Sequence, residues 1–234
     1  MFTANHFIWL GAIALLIATA LIVIKKLHPS HRIVGKCVMI LLIGLKLFHV
    51  SLSMKESPFG GYVINQTQLS FHLCSIMIYT IIFVNIIKNE KVIKTLKSFM
   101  VPCLFIGALM ALLIPTEGAD FTTPRVWQYM LIHGVLVFAA VEKVDLSFKA
   151  YFNNLKLLVC VTAVAFLMNS VLEQYKTNFL FLRVPPMDNL PLLNLNNGWY
   201  VYFITLAIIA CVLTLLVQLP FMLLNKRSQK KQEP

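Results

Sequence analysis

Continuous apolar runs of about 17–22 residues, separated by short polar segments, organise this chain. They fall at about 7–24, 33–53, 67–87, 99–114, 126–142, 155–173 and 199–224. Runs of that length cross ~30 Å of hydrocarbon as helices, and their lack of alternation excludes a β-barrel. The pattern predicts an all-α polytopic membrane protein with seven transmembrane helices. Residues 1–225 would form a single domain, and residues 226–234 a basic cytoplasmic tail. The first run has no basic segment before it, is followed by Lys25 and Lys26, and shows no small-residue cleavage pattern. It is therefore expected to be a retained span, not a cleaved signal peptide.

Composition agrees with this reading. The 234 residues are 59% hydrophobic and only 12% charged, against roughly 25% charged in soluble domains. The net charge of +11 would suggest a nucleic-acid partner in a soluble protein, but its distribution argues otherwise. Lys25, Lys26, Arg32, Lys88, Lys91, Lys94, Lys97, Lys143, Lys149, Lys156, Lys226, Arg227, Lys230 and Lys231 border the runs on one side. Only Lys55, Arg125, Lys176 and Arg183 border them on the other. The bias predicts an N-terminus outside and a C-terminus inside, with the tail as a lipid-surface anchor. No basic domain remains for a nucleic acid. All five cysteines lie inside the runs, so no disulfide framework is expected. No metal or cofactor is called for by any motif.

The polar residues inside the runs carry the candidate chemistry, because such groups are costly in hydrocarbon and face the interior. Cys74 follows Thr67 by seven residues and His133 follows Val126 by seven, so each lies ~10 Å deep at 1.5 Å per residue. Lys46 and His49 sit near the outer end of the second run, and Asn169 and Glu173 share a face near the outer end of the sixth. One outward-opening polar cavity is expected. On a continuous third helix His72 and Cys74 lie about 200° apart, which groups His72 with Gln68 and Ser75. The base for Cys74 must then come from another span. His133 matches its depth, with Tyr129 at i−4 and Gln128 beside it. Each residue also has a structural reading. Cys74 can be a small apolar packer, Lys46 can snorkel outward, and Asn169 and Glu173 can join helices. Trp127, Trp199 and Tyr200 can be interfacial anchors. The loop 174–198 is too apolar to float in water and is expected to fold back over the outer mouth.

Several motifs in order resemble the YwaF family of bacterial integral membrane proteins. They are Leu69-Ser70-Phe71-His72-Leu73-Cys74-Ser75, Gly107–Leu112 with Pro115, Gln128, and His133-Gly134. Asn169, Thr177–Leu182, Pro186 and Gly198-Trp199 complete the set. Ser70 replaces a proline usual before His-Leu-Cys, and Phe179 replaces a tyrosine common after the loop asparagine. A related animal branch is similar to cysteine-dependent phospholipid acyltransferases. The resemblance implies Cys74 as acyl acceptor and His133 as general base. Asn178, Arg183 or Asn169 would contact a lipid headgroup or a developing oxyanion. It also implies membrane lipids as partners and a multi-pass protein of the bacterial cell membrane. The alternative is a solute transporter or ligand-binding membrane protein using the same cavity without covalent chemistry. The lack of internal repeats and of paired Gly/Pro-broken half-helices argues against it.

Overall fold

The computed structural model describes residues 3–57, 61–114, 118–140, 144, 146–186, 190 and 192–230, with side chains to residue 223. Pro115 and Lys143 lie outside the described residues, as do Lys231 and the side chains of the other tail cations.

Seven helices are described, and most begin where a capping side chain precedes an apolar run. Helix α1 spans Ala4–Leu27, capped by Thr3, whose hydroxyl accepts from the His6 amide at 3.3 Å. Helix α2 spans His31–Leu52 behind Ser30, whose hydroxyl accepts from Ile33. Helix α3 spans Leu73–Ile86. Helix α4 runs through Glu90–Leu113, opened by Asn89 and containing Pro102 and a π-helical stretch, Phe105–Leu109. The missing amide of Pro102 interrupts the regular ladder just before that stretch. Helix α5 spans Pro124–Ala139, its proline at a first-turn position that needs no amide donor. Helix α6 spans Phe148–Val171 behind Ser147, and α7 spans Trp199–Lys230.

Five of these, α1, α2, α4, α6 and Trp199–Leu223 within α7, are long and apolar enough to cross a membrane. Apolar side chains such as Leu15, Ile22, Leu47 and Ile204 stand exposed along them, an arrangement that suits lipid and not water. The chain is a multi-pass membrane protein. Helices α3 and α5 have 14 and 16 residues, about 21 and 24 Å at 1.5 Å per residue.

Helix boundaries depart from the hydropathy runs in instructive places. The third run was expected to be helical from residue 67, yet Gln66–Gln68 form a 3-10 turn and helix begins only at Leu73. The fourth helix starts at Glu90, nine residues before its apolar run, because Asn89 accepts from the Lys91 and Val92 amides. A small antiparallel hairpin pairs Met54–Glu56 with Tyr62–Ile64 between α2 and α3, closed by the Asn65 amide donating to Ser53 O.

The chain forms two compact units, residues 1–65 with 74–143, and residues 66–73 with 144–234. In the first, α5 packs against α1, α2 and α4. Trp9, Ile13, Leu112, Val126 and Met130 form its core, with Trp9 stacked on Phe121 at 5.0 Å and edge-on to Trp127 at 4.7 Å. Gly134 lets α5 approach α1, since a Cβ there would stand 3.0 Å from two carbons of Ile13, the small-residue contact membrane helices favour. In the second, α6 and α7 pack together and Ala165, Phe179 and Leu182 form the buried centre.

Candidate functional site

In the first unit, polar side chains of α2 reach α3 at Ser75 and α5 at Gln128. Cys74 stands in the first turn of α3, half-buried and unoxidised. Beside it along the chain, Ser75 accepts a hydrogen bond from Lys46 Nζ of α2 at 3.3 Å. Lys46 is only 8% exposed, so it turns inward and the snorkelling alternative does not hold. One turn further along α2, His49 Nδ1 donates to the Oε1 of buried Gln128 at 3.4 Å.

His133 is held in one tautomer. Its Nδ1 lies 2.7 Å from the Tyr129 carbonyl oxygen, which can only accept, so the proton sits on Nδ1 and Nε2 carries the lone pair. The Tyr129 ring packs on the imidazole at 4.3 Å, and its hydroxyl donates to Ala111 O of α4 at 3.0 Å. The i, i+4 pairing of Tyr129 and His133 holds as the sequence spacing suggested. His49 lies within electrostatic range of His133, and Cys103, buried on α4, within range of Cys74. Among the described residues no hydrogen bond joins Cys74 to His133. Among them, too, no group of three or more His, Cys, Asp or Glu side chains gathers around a metal position.

The second unit holds the remaining candidates in a different kind of arrangement. His72 precedes α3 and lies outside any helix, so the 200° separation from Cys74 does not apply. Its ring meets Phe179 edge-on at 5.4 Å and Phe181 at 5.7 Å. Gln68 closes the 3-10 turn before it. Asn169 and Glu173 do not share a helical face, because α6 ends at Val171 and Glu173 opens a separate 3-10 turn. Asn169, buried, donates from Nδ2 to Phe179 O at 3.0 Å and accepts from the Phe179 amide at 2.8 Å. Its side chain thereby imitates a strand neighbour for one residue of loop. Asn178 donates to Val184 O at 2.9 Å and accepts from the Arg183 and Val184 amides. Arg183 pairs with Glu173 at 2.6 Å on the surface, a contact worth about 0–1 kcal/mol.

The part of the loop from Thr177 to Val184 is therefore held in a fixed form. Leu180 and Phe181 adopt left-handed backbone angles, φ 55° and 56°, which cost an L-residue about 1–2 kcal/mol each. Three anchors hold them. Asn169 fixes Phe179, the Tyr202 hydroxyl donates to Phe181 O, and Trp199 Nε1 donates to Leu182 O at 2.8 Å. Trp199 also stacks on Phe203 at 5.3 Å. Phe179, Leu180 and Leu182 of the loop pack onto α6 and α7 through Met168, Leu172, Phe203 and Leu206.

Two features of the cluster escaped the hydropathy pattern, the inward turn of Lys46 and the nearness of Cys103 to Cys74. Lys46 carried a signal, since it is a lone cation well inside an apolar run. Cys103 carried none.

The model of the TMEM164 family matches residues 1–218 of the chain. No curated protein and no solved structure matches it.

Proposed function

This chain belongs to the TMEM164 family, and on that premise we propose that it is a cysteine-dependent lipid acyltransferase or acyl hydrolase, of the kind implied by its likeness to the YwaF proteins. What supports this reading is the presence, within one compact unit, of a thiol in the first turn of a helix and of an imidazole whose proton is fixed on Nδ1. Cys74 stands at the positive end of the α3 dipole. The lone pair on His133 Nε2 suits a general base.

In the proposed reaction His133 Nε2 takes the Cys74 proton as Sγ attacks the ester carbonyl of a lipid acyl chain. The acyl C–O bond breaks, the alkoxide of the donor lipid receives that proton, and a thioester forms on Cys74. A hydroxyl of an acceptor lipid, or water, then attacks the thioester and gives its proton through His133 to the departing thiolate. No cofactor is required. His49 and Gln128 would support the imidazole, and Lys46 and Ser75 would border the thiol. The site faces the outer leaflet if all seven helices cross the membrane with the N-terminus outside. The lopsided distribution of lysine and arginine favours that orientation. A bacterial cell membrane is the proposed location.

The test is acyl capture. The full chain in nanodiscs is incubated with a phosphatidylcholine carrying an alkyne-tagged acyl chain, and hydroxylamine-sensitive label is mapped by mass spectrometry. Label on Cys74 that disappears in Cys74→Ala is the expected result. Label unchanged in that variant would overturn the nucleophile. Facilitated movement of a solute without any acyl label would favour the transporter alternative.

A further inference from the structure

The sequence leaves the end of α4 with an open carbonyl. In a regular helix the carbonyl of one residue accepts from the amide four positions on, so Ala111 would look to residue 115. That residue is a proline and carries no amide hydrogen. The Met110 carbonyl accepts from the Ile114 amide at 2.8 Å. Ala111 is therefore the first carbonyl of the helix end that no such amide can serve. Within an apolar bundle it needs a donor from elsewhere.

Side chains of two other helices supply donors there. The Tyr129 hydroxyl of α5 donates to Ala111 O at 3.0 Å. His6 of α1, fully buried, has its Nε2 2.8 Å from Leu112 O, and a carbonyl can only accept, so that nitrogen carries the proton. Two adjacent carbonyls are thus capped alike, but what stands behind each cap differs. His6 belongs to the first turn of α1. Tyr129 meets His133 through two more of its groups. Its carbonyl oxygen lies 2.7 Å from His133 Nδ1, and its ring packs on the imidazole at 4.3 Å. Helix α5 also packs on the π-helical stretch Phe105–Leu109, directly before the last turn Met110–Leu113, and such stretches recur at functional sites.

We infer that Tyr129 is a positioning residue for His133: its hydroxyl, tied to the carbonyl that Pro115 leaves open, fixes the imidazole against the end of α4. The inference rests on reading His133 as the general base and adds the residue that orients it. Anchored by its hydroxyl at one end and by the backbone at the other, the tyrosine ring is a wall that allows the imidazole one orientation. A phenylalanine would fill the same space without the tether. That orientation decides where the Nε2 lone pair points, and a general base must meet its proton within hydrogen-bond reach. Misplacement by ~1 Å in such a site costs about 10²-fold in rate.

Three variants of the full chain in nanodiscs test this. Tyr129→Phe removes only the hydroxyl, His6→Leu removes the neighbouring cap, and His133→Gln identifies the His133 signals by their loss. With the histidine nitrogens isotopically labelled, NMR reads the tautomer of His133 without any reaction. Acyl capture from the tagged phosphatidylcholine reads its chemistry. In the unsubstituted protein the two His133 nitrogens should show the well-separated shifts of a single tautomer. In Tyr129→Phe those shifts should converge as tautomers mix, and capture at saturating lipid should slow by about tenfold. The half-saturating lipid concentration should change by less than about twofold. His6→Leu should lower the thermal midpoint about as much as Tyr129→Phe does, since each loses one cap, and should leave shifts and capture rate unchanged. A lowered midpoint in Tyr129→Phe with unaltered shifts and rate overturns the assignment and leaves Tyr129 a helix cap. Equal slowing in His6→Leu overturns it too, because the effect then belongs to the helix end. Converging shifts in a protein that captures no acyl chain remove the covalent reading and keep Tyr129 as the residue that orients His133.

Discussion

Two sets of polar side chains, one in each compact unit, are used differently. In the second, Asn169, Asn178, Trp199 and Tyr202 direct their hydrogen bonds to backbone atoms of one short loop. Those side chains replace the partners a loop peptide would otherwise find in water. In the first unit Tyr129 and Trp127 also bond backbone, but Lys46 with Ser75 and His49 with Gln128 join side chain to side chain, and His133 uses only one ring nitrogen on backbone. Groups fully committed to backbone hold shape. Groups with a lone pair or a charge left over are available for chemistry.

Substitutions break this contrast in a definite order. The largest effect is expected at His133. Replacing it with Gln removes the Nε2 lone pair and should slow acyl transfer by roughly 10²–10⁴-fold. The melting temperature should move little, which separates a chemical role from a structural one. Asn169→Leu in the second unit should do the reverse. It strands the amide and carbonyl of buried Phe179 and should destabilise that unit by about 2–4 kcal/mol, on the cost of two unsatisfied groups. Faster proteolysis of the loop at 176–186 would report it, and undiminished protection would show that the loop does not depend on this side chain.

Gly134→Leu tests the packing that sets the register of α5. With Ile13 carbons 3.0 Å from the position of a Cβ, the larger side chain should cost about 1–3 kcal/mol, read from the shift in thermal midpoint. Acyl transfer should fall with it, because His133 is the adjacent residue.

The smallest effect concerns Asp120, outside the spans. Its carboxylate accepts from the Thr122 amide at 2.9 Å and the Thr122 hydroxyl at 2.8 Å, and these bonds, the amide first, hold its pKa below the usual carboxylate value. Its contribution is therefore fully present above the unfolded value of about 3.9 and is lost as pH falls through the lower folded value. Trp127, whose indole donates to Phe121 O in the same loop, should report the loss by a fluorescence change below pH 4. Asp120→Asn should abolish that acid transition.

Much of the helical plan was legible because the membrane imposes it. Long apolar runs must be helical where no water can satisfy the backbone, and Ser30, Asn89 and Ser147 mark starts by ordinary capping. The helical expectation failed at residues 67–72, which turn before Leu73 although the apolar run was drawn from residue 67. Phe71 and His72 there pack against Phe179, more than 100 residues away, and such a contact leaves no mark in local periodicity. The 200° argument about His72 and Cys74 failed for the same reason.

The sequence by itself determined that this chain lives in a membrane, which residues are costly there, and that Tyr129 and His133 sit one turn apart on a helix. Those are consequences of solvent and of 3.6-residue periodicity, both local. Only the tertiary structure decided that Lys46 turns inward to Ser75, that Asn169 serves a loop amide, and that α3 starts immediately before Cys74. Each depends on which helix stands beside which, and hydrophobic burial in lipid is too uniform a force to specify that from one segment alone.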